Sequence, residues 1–358
     1  MFIGIDASRA ARHVRTGTEN YAYQLIRQLL ALDTAHQYRL YLRQPPPAGL
    51  FDARAETRVI GVPRLWTHLG LGLEMMRRAP DVLFVPAHVL PVVHPRRSVV
   101  TIHDLGYRYF PDAHTATQRA YLEWSTGYAV RHASRIVAVS HATKDDLVRW
   151  HNADERKIAV VHHGICAPSP QAGAQSSDVG RWTRNAKRYL VAIGTIQPRK
   201  NYARLIEAFV SLDLPRDELA LVIIGKEGWN CGEIIARAQQ AGVVLTGHVG
   251  DETRDALLRV ATAFVLPSLY EGFGMPILEA QAMGVPVITG NTSSCPEVAG
   301  DGALLVNPLD TSAIAHAIRQ VLDDGGLRES LIRRGFSNVK KFSWETCARD
   351  TLAVIESA

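Results

Sequence analysis

The segment SLYEGFGMPILEA, residues 268–280, places two carboxylates, Glu271 and Glu279, with seven residues between them. Gly272, Gly274 and Pro276 lie in that interval. The preceding TAFVLP reads as a strand and SLYEGFG as the loop at its C-terminal end. Pro276 suits the first turn of a helix, where its missing N–H is not needed, and Gly284 is placed to end that helix. A helix N-terminus exposes unpaired N–H groups and the positive end of its dipole. Gly274 lets a ligand come close to the backbone. The chemistry this predicts is phosphate binding. Two carboxylates bracketing such a turn suit a nucleotide sugar, one accepting hydrogen bonds from sugar hydroxyls and the other from a ribose diol.

A second cluster supports the first. GTIQPRKN, residues 194–201, follows the strand-like YLVAIG. Arg199 and Lys200 project from a strand-to-helix turn, where adjacent cations can neutralise a departing diphosphate. As exposed loop cations they are expected to add little to stability. His103 ends an apolar strand in TIHDL; imidazole also packs and hydrogen-bonds readily, so a structural role fits it equally. The other thirteen histidines, including His162 and His163, read as structural or surface groups. No spacing suggests a metal site, and Asp-x-Asp occurs nowhere. The expected enzyme therefore needs no metal and no cofactor, its cations being side chains. Cys166, Cys231, Cys295 and Cys347 are too far apart in sequence for a metal or redox motif and read as reduced thiols.

The elements that must hold these residues alternate strand and helix almost throughout. Apolar strand candidates FIGID, QYRLYL, TRVIGV, DVLFV, SVVTI, RIVAV and IAVVH fill the first half. The pattern restarts near residue 185 with YLVAIG, LALVIIG, GVVLTG, TAFVLP and VPVITG. Continuous apolar strands alternating with helices predict parallel sheets buried on both faces. APSPQAGAQSSDVGRW, residues 167–182, has no apolar period and reads as a linker. The expected organisation is a Rossmann-like domain at 1–170, which the family resemblance set out below implies to be the acceptor side, a nucleotide-sugar-binding Rossmann-like domain at 171–342, and a helix at 343–358 packing back on the first. Such domains would face a cleft, since open parallel sheets bind ligands beyond the C-terminal ends of their strands.

Together these stretches resemble the family 4 retaining glycosyltransferases, which have the GT-B fold. RTGTENYAYQL, TIHDLGYRYFP, RIVAVSHATKDDL, GTIQPRKN, PSLYEGFGMPILEAQAMGVPVI and PEVAGDGALLVNP carry the likeness in the expected order over nearly the whole chain. The resemblance implies that Glu271 contacts the donor-sugar hydroxyls and Glu279 the ribose. It implies that Arg199 and Lys200 clamp the diphosphate, with backbone N–H groups of Gly274 and Met275 beside it. His103 would lie across the cleft beside the donor sugar, and Gly17 near the reaction centre and the acceptor. The implied reaction is front-face attack by an acceptor hydroxyl with no protein nucleophile. Where some members carry arginine after the glycine opening the PRK stretch, this chain has Thr195. The likeness is greatest to mannosyltransferases of surface-polysaccharide assembly, which implies mannose carried as GDP-mannose; the sequence itself names neither base nor sugar. Alternatives are another GT-B enzyme, such as a nucleotide-sugar epimerase, and a catalytically silent nucleotide-sugar-binding protein.

Partners follow from charge and apolar patterning. Of the net charge of +5, residues 1–170 hold 21 Lys and Arg against 14 Asp and Glu, or +7, and the remainder 19 against 21, or −2. There is no arginine-rich run, zinc finger or aromatic-basic motif, so nucleic acid is not expected. No run of eighteen apolar residues suggests a membrane span. The N-terminus, an apolar strand followed by arginines, is unlike a signal peptide and reads as a cytoplasmic start. VPRLWTHLGLGLEMMRRAP, residues 62–80, sets apolar side chains beside Arg77 and Arg78. It fits either a helix packed on its own sheet or one docked on the inner face of a membrane. The implied acceptor is a glycan or a lipid-linked glycan.

Overall fold

The computed structural model describes all residues except 13, 14, 16, 63, 64 and 167–175. It divides into two units, Met1–Gly164 with Phe342–Ala358, and Ile165–Lys341. The first division thus falls at 164/165, earlier than the expected 170/171. The linker read at 167–182 is only partly open to description: residues 167–175 lie outside the described residues, and Ser176–Thr183 is a helix rather than linker. Its apolar positions, Val179 and Trp182, are too few to stand out among Ser, Asp and Gly.

The first unit is built on β1 (Phe2–Asp6), β2 (Gln37–Leu42), β3 (Glu56–Val59), β4 (Val82–Val85), β5 (Ser98–Ile102), β6 (Arg135–Ala138) and β7 (Ile158–Val160). All pair in parallel, in the order β3-β2-β1-β4-β5-β6-β7. Successive side chains of a strand point to opposite faces, and in the inner strands β1, β4, β5 and β6 both faces are buried, whereas the edge strand β3 is exposed throughout. Ile3, Ile5, Leu40, Phe84 and Val99 enter one core; Tyr41, Leu83, Val85, Val100 and Ile102 enter the other. That is why these strands read as unbroken apolar runs. Gly4 is needed in β1, because a Cβ there would sit 2.7 Å from both Pro80 and Tyr41. The terminal helix Trp344–Glu356 packs on the helix Gly17–Leu32, with Trp344, Cys347, Ala348 and Ile355 in the core that holds Tyr21, Leu25 and Leu29. Arg97 fastens its end by donating to the backbone oxygens of Ala358 at 2.6 Å and Glu356 at 3.0 Å.

The second unit repeats the design with β8 (Arg188–Ile193), β9 (Leu219–Ile224), β10 (Val244–Gly247), β11 (Ala263–Leu266), β12 (Val287–Gly290) and β13 (Ala303–Val306). The order is β10-β9-β8-β11-β12-β13, again all parallel. In each sheet the order reverses beside the unit's first strand, between β1 and β4 and between β8 and β11. Ligands of open α/β sheets bind at such reversal points, beyond the C-terminal strand ends.

Candidate active site

In the second unit the loops after β8, β11 and β12 converge. β8 is followed by Gly194, whose φ of +145° is one that other residues rarely adopt. A Cβ there would lie 2.8 Å from Cε of Lys200, so glycine leaves the lysine its path. Pro198–Lys200 forms a single 3-10 turn, and left-handed Asn201 (φ 60°) redirects the chain into the helix Tyr202–Ser211. The Asn201 amide fixes this corner by donating to the oxygens of Pro267 at 3.0 Å and Pro308 at 2.6 Å. Leu269 N donates to Arg199 O at 2.9 Å, tying the β8 loop to the β11 loop.

The side chains meet at Glu271. Lys200 Nζ donates to its Oε1 at 2.6 Å, Ser268 Oγ to the same oxygen at 2.6 Å, and Arg199 Nη1 to its Oε2 at 3.0 Å. Arg199 also donates to Tyr270 O at 2.7 Å. Burial by itself would raise the Glu271 carboxyl, but Lys200 and Arg199 outweigh it and hold the group at about 2. Its backbone is pinned as well: Glu271 N donates to Ser293 Oγ at 2.8 Å, and Ser294 Oγ donates to the oxygens of Glu271 and Phe273. The structure corrects the expectation that Lys200 is an exposed loop cation. It is only 6% exposed, because the β11 loop folds over it and supplies its counter-ion. It therefore belongs to the packing of the unit and contributes to stability.

Directly after this cluster, Gly274 (φ 102°) caps the helix Met275–Ala282, with Pro276 in its first turn. The helix begins at Met275, and Gly284 (φ 72°) follows its end. Glu279 lies one turn inside it and is half-buried. Burial raises its carboxyl; Arg254 on the helix Asp251–Arg259 opposes this, while Asp255 and Asp251 add to it. Glu279 is thus set in a separate electrostatic group from Glu271.

His103 and Gly17 belong to the first unit. His103, just past β5, holds Nε2 at 2.9 Å from Pro86 O. A carbonyl only accepts, so Nε2 carries the proton and Nδ1 is the accepting nitrogen. Burial lowers the pKa of the ring, keeping it neutral. The Tyr21 ring meets it edge-on at 4.8 Å. Gly17 opens the helix Gly17–Leu32 and is exposed, with open space where a Cβ would be. Among the described residues no packing demands a glycine there.

Sequence reasoning missed Ser268, Ser293, Ser294, Asn201 and Arg254. Ser268 stands three residues before Glu271 and could have been read as its local partner. Ser293 and Ser294 sit over twenty residues downstream, and only the pairing of β11 with β12 brings them in. Arg254 had no signal at all. Residues 62–80 form a π-helical turn, Trp66–Leu71, running into the helix Gly72–Arg78, with 63 and 64 outside the described residues. Trp66, Leu71 and Met75 are buried, while Leu65, Leu69, Leu73 and Met76 are exposed, as are Arg77 and Arg78. Among the described residues no helix is long and apolar enough to cross a membrane.

Residues 15–167 match the family described as Glycosyltransferase Family 4, and residues 180–337 match Glycosyl transferases group 1. The chain is 29% identical to O-antigen chain mannosyltransferase B of Escherichia coli, over 97% of this chain and 98% of that protein. It is 27% identical to O-antigen chain mannosyltransferase RfbU of Salmonella typhimurium, over 71% and 69%. Among solved structures it resembles sucrose-phosphate synthase from Thermosynechococcus elongatus, with TM-score 0.75, 19% identity and coverage of 100% and 98%. It also resembles Anabaena HepE in complex with UDP and glucose, with TM-score 0.74, 17% identity and coverage of 100% and 99%.

Proposed function

The chain belongs to the family 4, group 1 glycosyltransferases of GT-B fold, and we propose that it moves mannose from GDP-mannose to a hydroxyl of a glycan or lipid-linked glycan, with retention. The observation that carries this reading is the Arg199–Lys200–Glu271 cluster at the reversal point of the second sheet, beside the helix N-terminus at Gly274–Met275. Mannose is favoured because the two O-antigen relatives are named as mannosyltransferases.

In the proposed reaction the bond from the anomeric carbon to the diphosphate breaks and its electron pair leaves on the phosphate oxygen. The acceptor oxygen bonds to the same face of that carbon, and its proton passes to the departing phosphate. Arg199, Lys200 and the helix N–H groups stabilise the leaving charge, a preorganised contribution. Glu271 already receives three donors, from Lys200, Ser268 and Arg199. A carboxylate offers about four lone-pair sites, so it retains room for one sugar hydroxyl. Glu279 takes the ribose, His103 offers Nδ1 to the donor sugar, and Gly17 leaves space for the acceptor. No metal or cofactor takes part.

We also place its work at the cytoplasmic face of a membrane. The exposed Leu65, Leu69, Leu73 and Met76 beside Arg77 and Arg78 fit the interface of an anionic lipid layer.

Thermal unfolding with a panel of nucleotide sugars tests the donor, since a specific ligand raises stability by mass action. GDP-mannose should give the largest rise. Transfer of labelled mannose to a glycan acceptor, absent when only donor is supplied, then separates a transferase from an epimerase. A donor that is isomerised without an acceptor would sink the reading.

A further inference from the structure

His103 is backed by a cluster of rings. The helix Gly17–Leu32 carries Gly17 at its start and Tyr21 four residues on, so the two share one helix face. Gly17 is exposed, whereas Tyr21 is 1% exposed and meets two imidazoles. Its ring centroid lies 4.8 Å from that of His103 at an interplanar angle of 87°, and 4.5 Å from that of His163 at 33°. The two imidazoles are 5.8 Å apart, and Trp344 closes the group by stacking on His163 at 6.2 Å. The Tyr21 hydroxyl is 3.3 Å from Oγ1 of Thr101, which stands in β5 two residues before His103.

A core position on such a helix asks only for apolar volume, which Leu25, Ile26 and Leu29 supply to the same core. Tyr21 does more. Its ring touches the imidazole itself, and its hydroxyl touches the strand that carries the imidazole. Hydrogen bonds hold His103 at two points: Nε2 donates to Pro86 O at 2.9 Å, and the backbone oxygen accepts from Thr143 Oγ1 at 3.3 Å. The first fixes which nitrogen carries the proton. Neither fixes the plane of the ring, because the torsion about the bond to an imidazole is broad. A flat ring packed at right angles, a favoured aromatic geometry, removes that freedom. It also keeps water away. Burial lowers the His103 pKa; Asp104 and Glu19 oppose this and Arg9 adds to it. The neighbouring His88 and His163 are themselves kept uncharged by burial.

We propose that Tyr21 is a positioning residue for glycosyl transfer: its ring fixes the plane of the His103 imidazole so that, with Nε2 bound to Pro86 O, Nδ1 is set to accept from a hydroxyl of the donor sugar. This rests on the reading of His103 as a donor-sugar contact and adds the residue that holds it. Tyr21 itself touches no substrate. By excluding water the same ring keeps His103 uncharged, and so able to accept, to lower pH than an open imidazole.

Three variants of the full chain test this. Tyr21→Leu removes the flat ring but keeps the core apolar, with Tyr21→Met as its flexible substitute if the leucine variant does not fold. Tyr21→Phe keeps the ring and drops the hydroxyl. Leu25→Ala weakens the same core and serves as the control. NMR of labelled histidine follows the ring, its signal assigned by loss in His103→Gln. In the parent His103 should titrate below its ordinary value of 6.5 with the proton on Nε2. In Tyr21→Leu the midpoint should rise by about one pH unit as burial is relieved. Its kcat should fall about tenfold, from lost orientation, with an acid limb that follows the new midpoint. GDP affinity should not change, because GDP carries no sugar. Tyr21→Phe should keep the parent's titration and rate, and Leu25→Ala should lower the melting temperature without moving either. A parent-like titration in Tyr21→Leu, an equal loss in Tyr21→Phe, or the same shift in Leu25→Ala would overturn the proposal. The titration needs no turnover, so a protein that fails to transfer mannose ends the donor reading while this contact is still judged by its own signal.

Discussion

The two sheets share one strand order around their reversal points, yet the two points are filled in opposite ways. In the second unit the cations are covered: Lys200 and Glu271 have side chains 8% and 7% exposed, and each satisfies the other. In the first unit Arg9 and Arg12, which follow β1, have side chains 44% and 56% exposed and share the buried Glu19. Topology therefore selects where a ligand site can be, and loop sequence decides its character. A covered cluster fixes geometry before the ligand arrives, as a bond-breaking centre requires. An open one tolerates a larger and more variable partner.

The sharpest way to break this contrast is at Lys200. Lys200→Ala is expected to lower turnover about a hundredfold or more, through loss of a preorganised charge donor. It should also destabilise the protein by about 3 kcal/mol, since it strips a partner from a buried carboxylate. Lys200→Met combined with Glu271→Gln should restore much of the stability and none of the turnover. Denaturant unfolding and steady-state rates separate the two effects. A Lys200→Ala protein as stable as the parent would mean the cluster is not the buried unit described.

Acid should act on the two points with opposite sign. Glu271 lies below its ordinary value of 4.5, at about 2. Its stabilisation is complete above pH 4.5 and is lost as pH falls towards 2, about 3 kcal/mol by linkage. Asp6 is raised by burial, so it favours the folded state in acid and loses that contribution as pH rises through its native value. Unfolding free energies from pH 2 to 7 should therefore flatten at the acid end in Glu271→Gln and steepen there in Asp6→Asn. Parallel curves for parent and Glu271→Gln would remove the basis for the covered cluster.

A smaller effect is expected at lipid. Each arginine near an anionic surface contributes about 1 kcal/mol, fading with salt. Co-sedimentation with anionic but not neutral vesicles, weakened by Arg77→Glu with Arg78→Glu, would assign membrane contact to the first unit. A protein that stays in the supernatant with anionic vesicles at low salt ends that assignment. The smallest expected effect is none: activity should persist in excess EDTA if, as proposed, side-chain cations carry the diphosphate charge. Loss of activity restored by magnesium or manganese would contradict this.

Much of the Arg199–Lys200–Glu271 cluster was legible because its parts are local. A strand end, a glycine, a PRK turn and a Glu–seven–Glu spacing each leave a mark within a dozen residues. The inner strands were equally plain, since burial on both sheet faces removes polar alternation there, while the exposed edge strand β3 lacks that cause. The helix Ser176–Thr183 was hidden because two apolar residues are too short a period to detect. The burial of Lys200 was hidden for another reason: a basic loop residue reads as solvated unless the loop that covers it, seventy residues away, is known to fold there.

The sequence by itself determined that there are two parallel-sheet units, that a glycine turn precedes the helix Met275–Ala282, and that Arg199, Lys200, Glu271 and Glu279 are the groups to watch. These depend on backbone propensity and short-range spacing. Only the tertiary structure decided that Lys200 and Arg199 share Glu271, that Glu279 answers to Arg254 instead, and that Arg9 and Arg12 share Glu19. Charge is a property of a residue, but its partner and its exposure are set by which strand ends lie side by side, and that is fixed by the order of strands in the sheet.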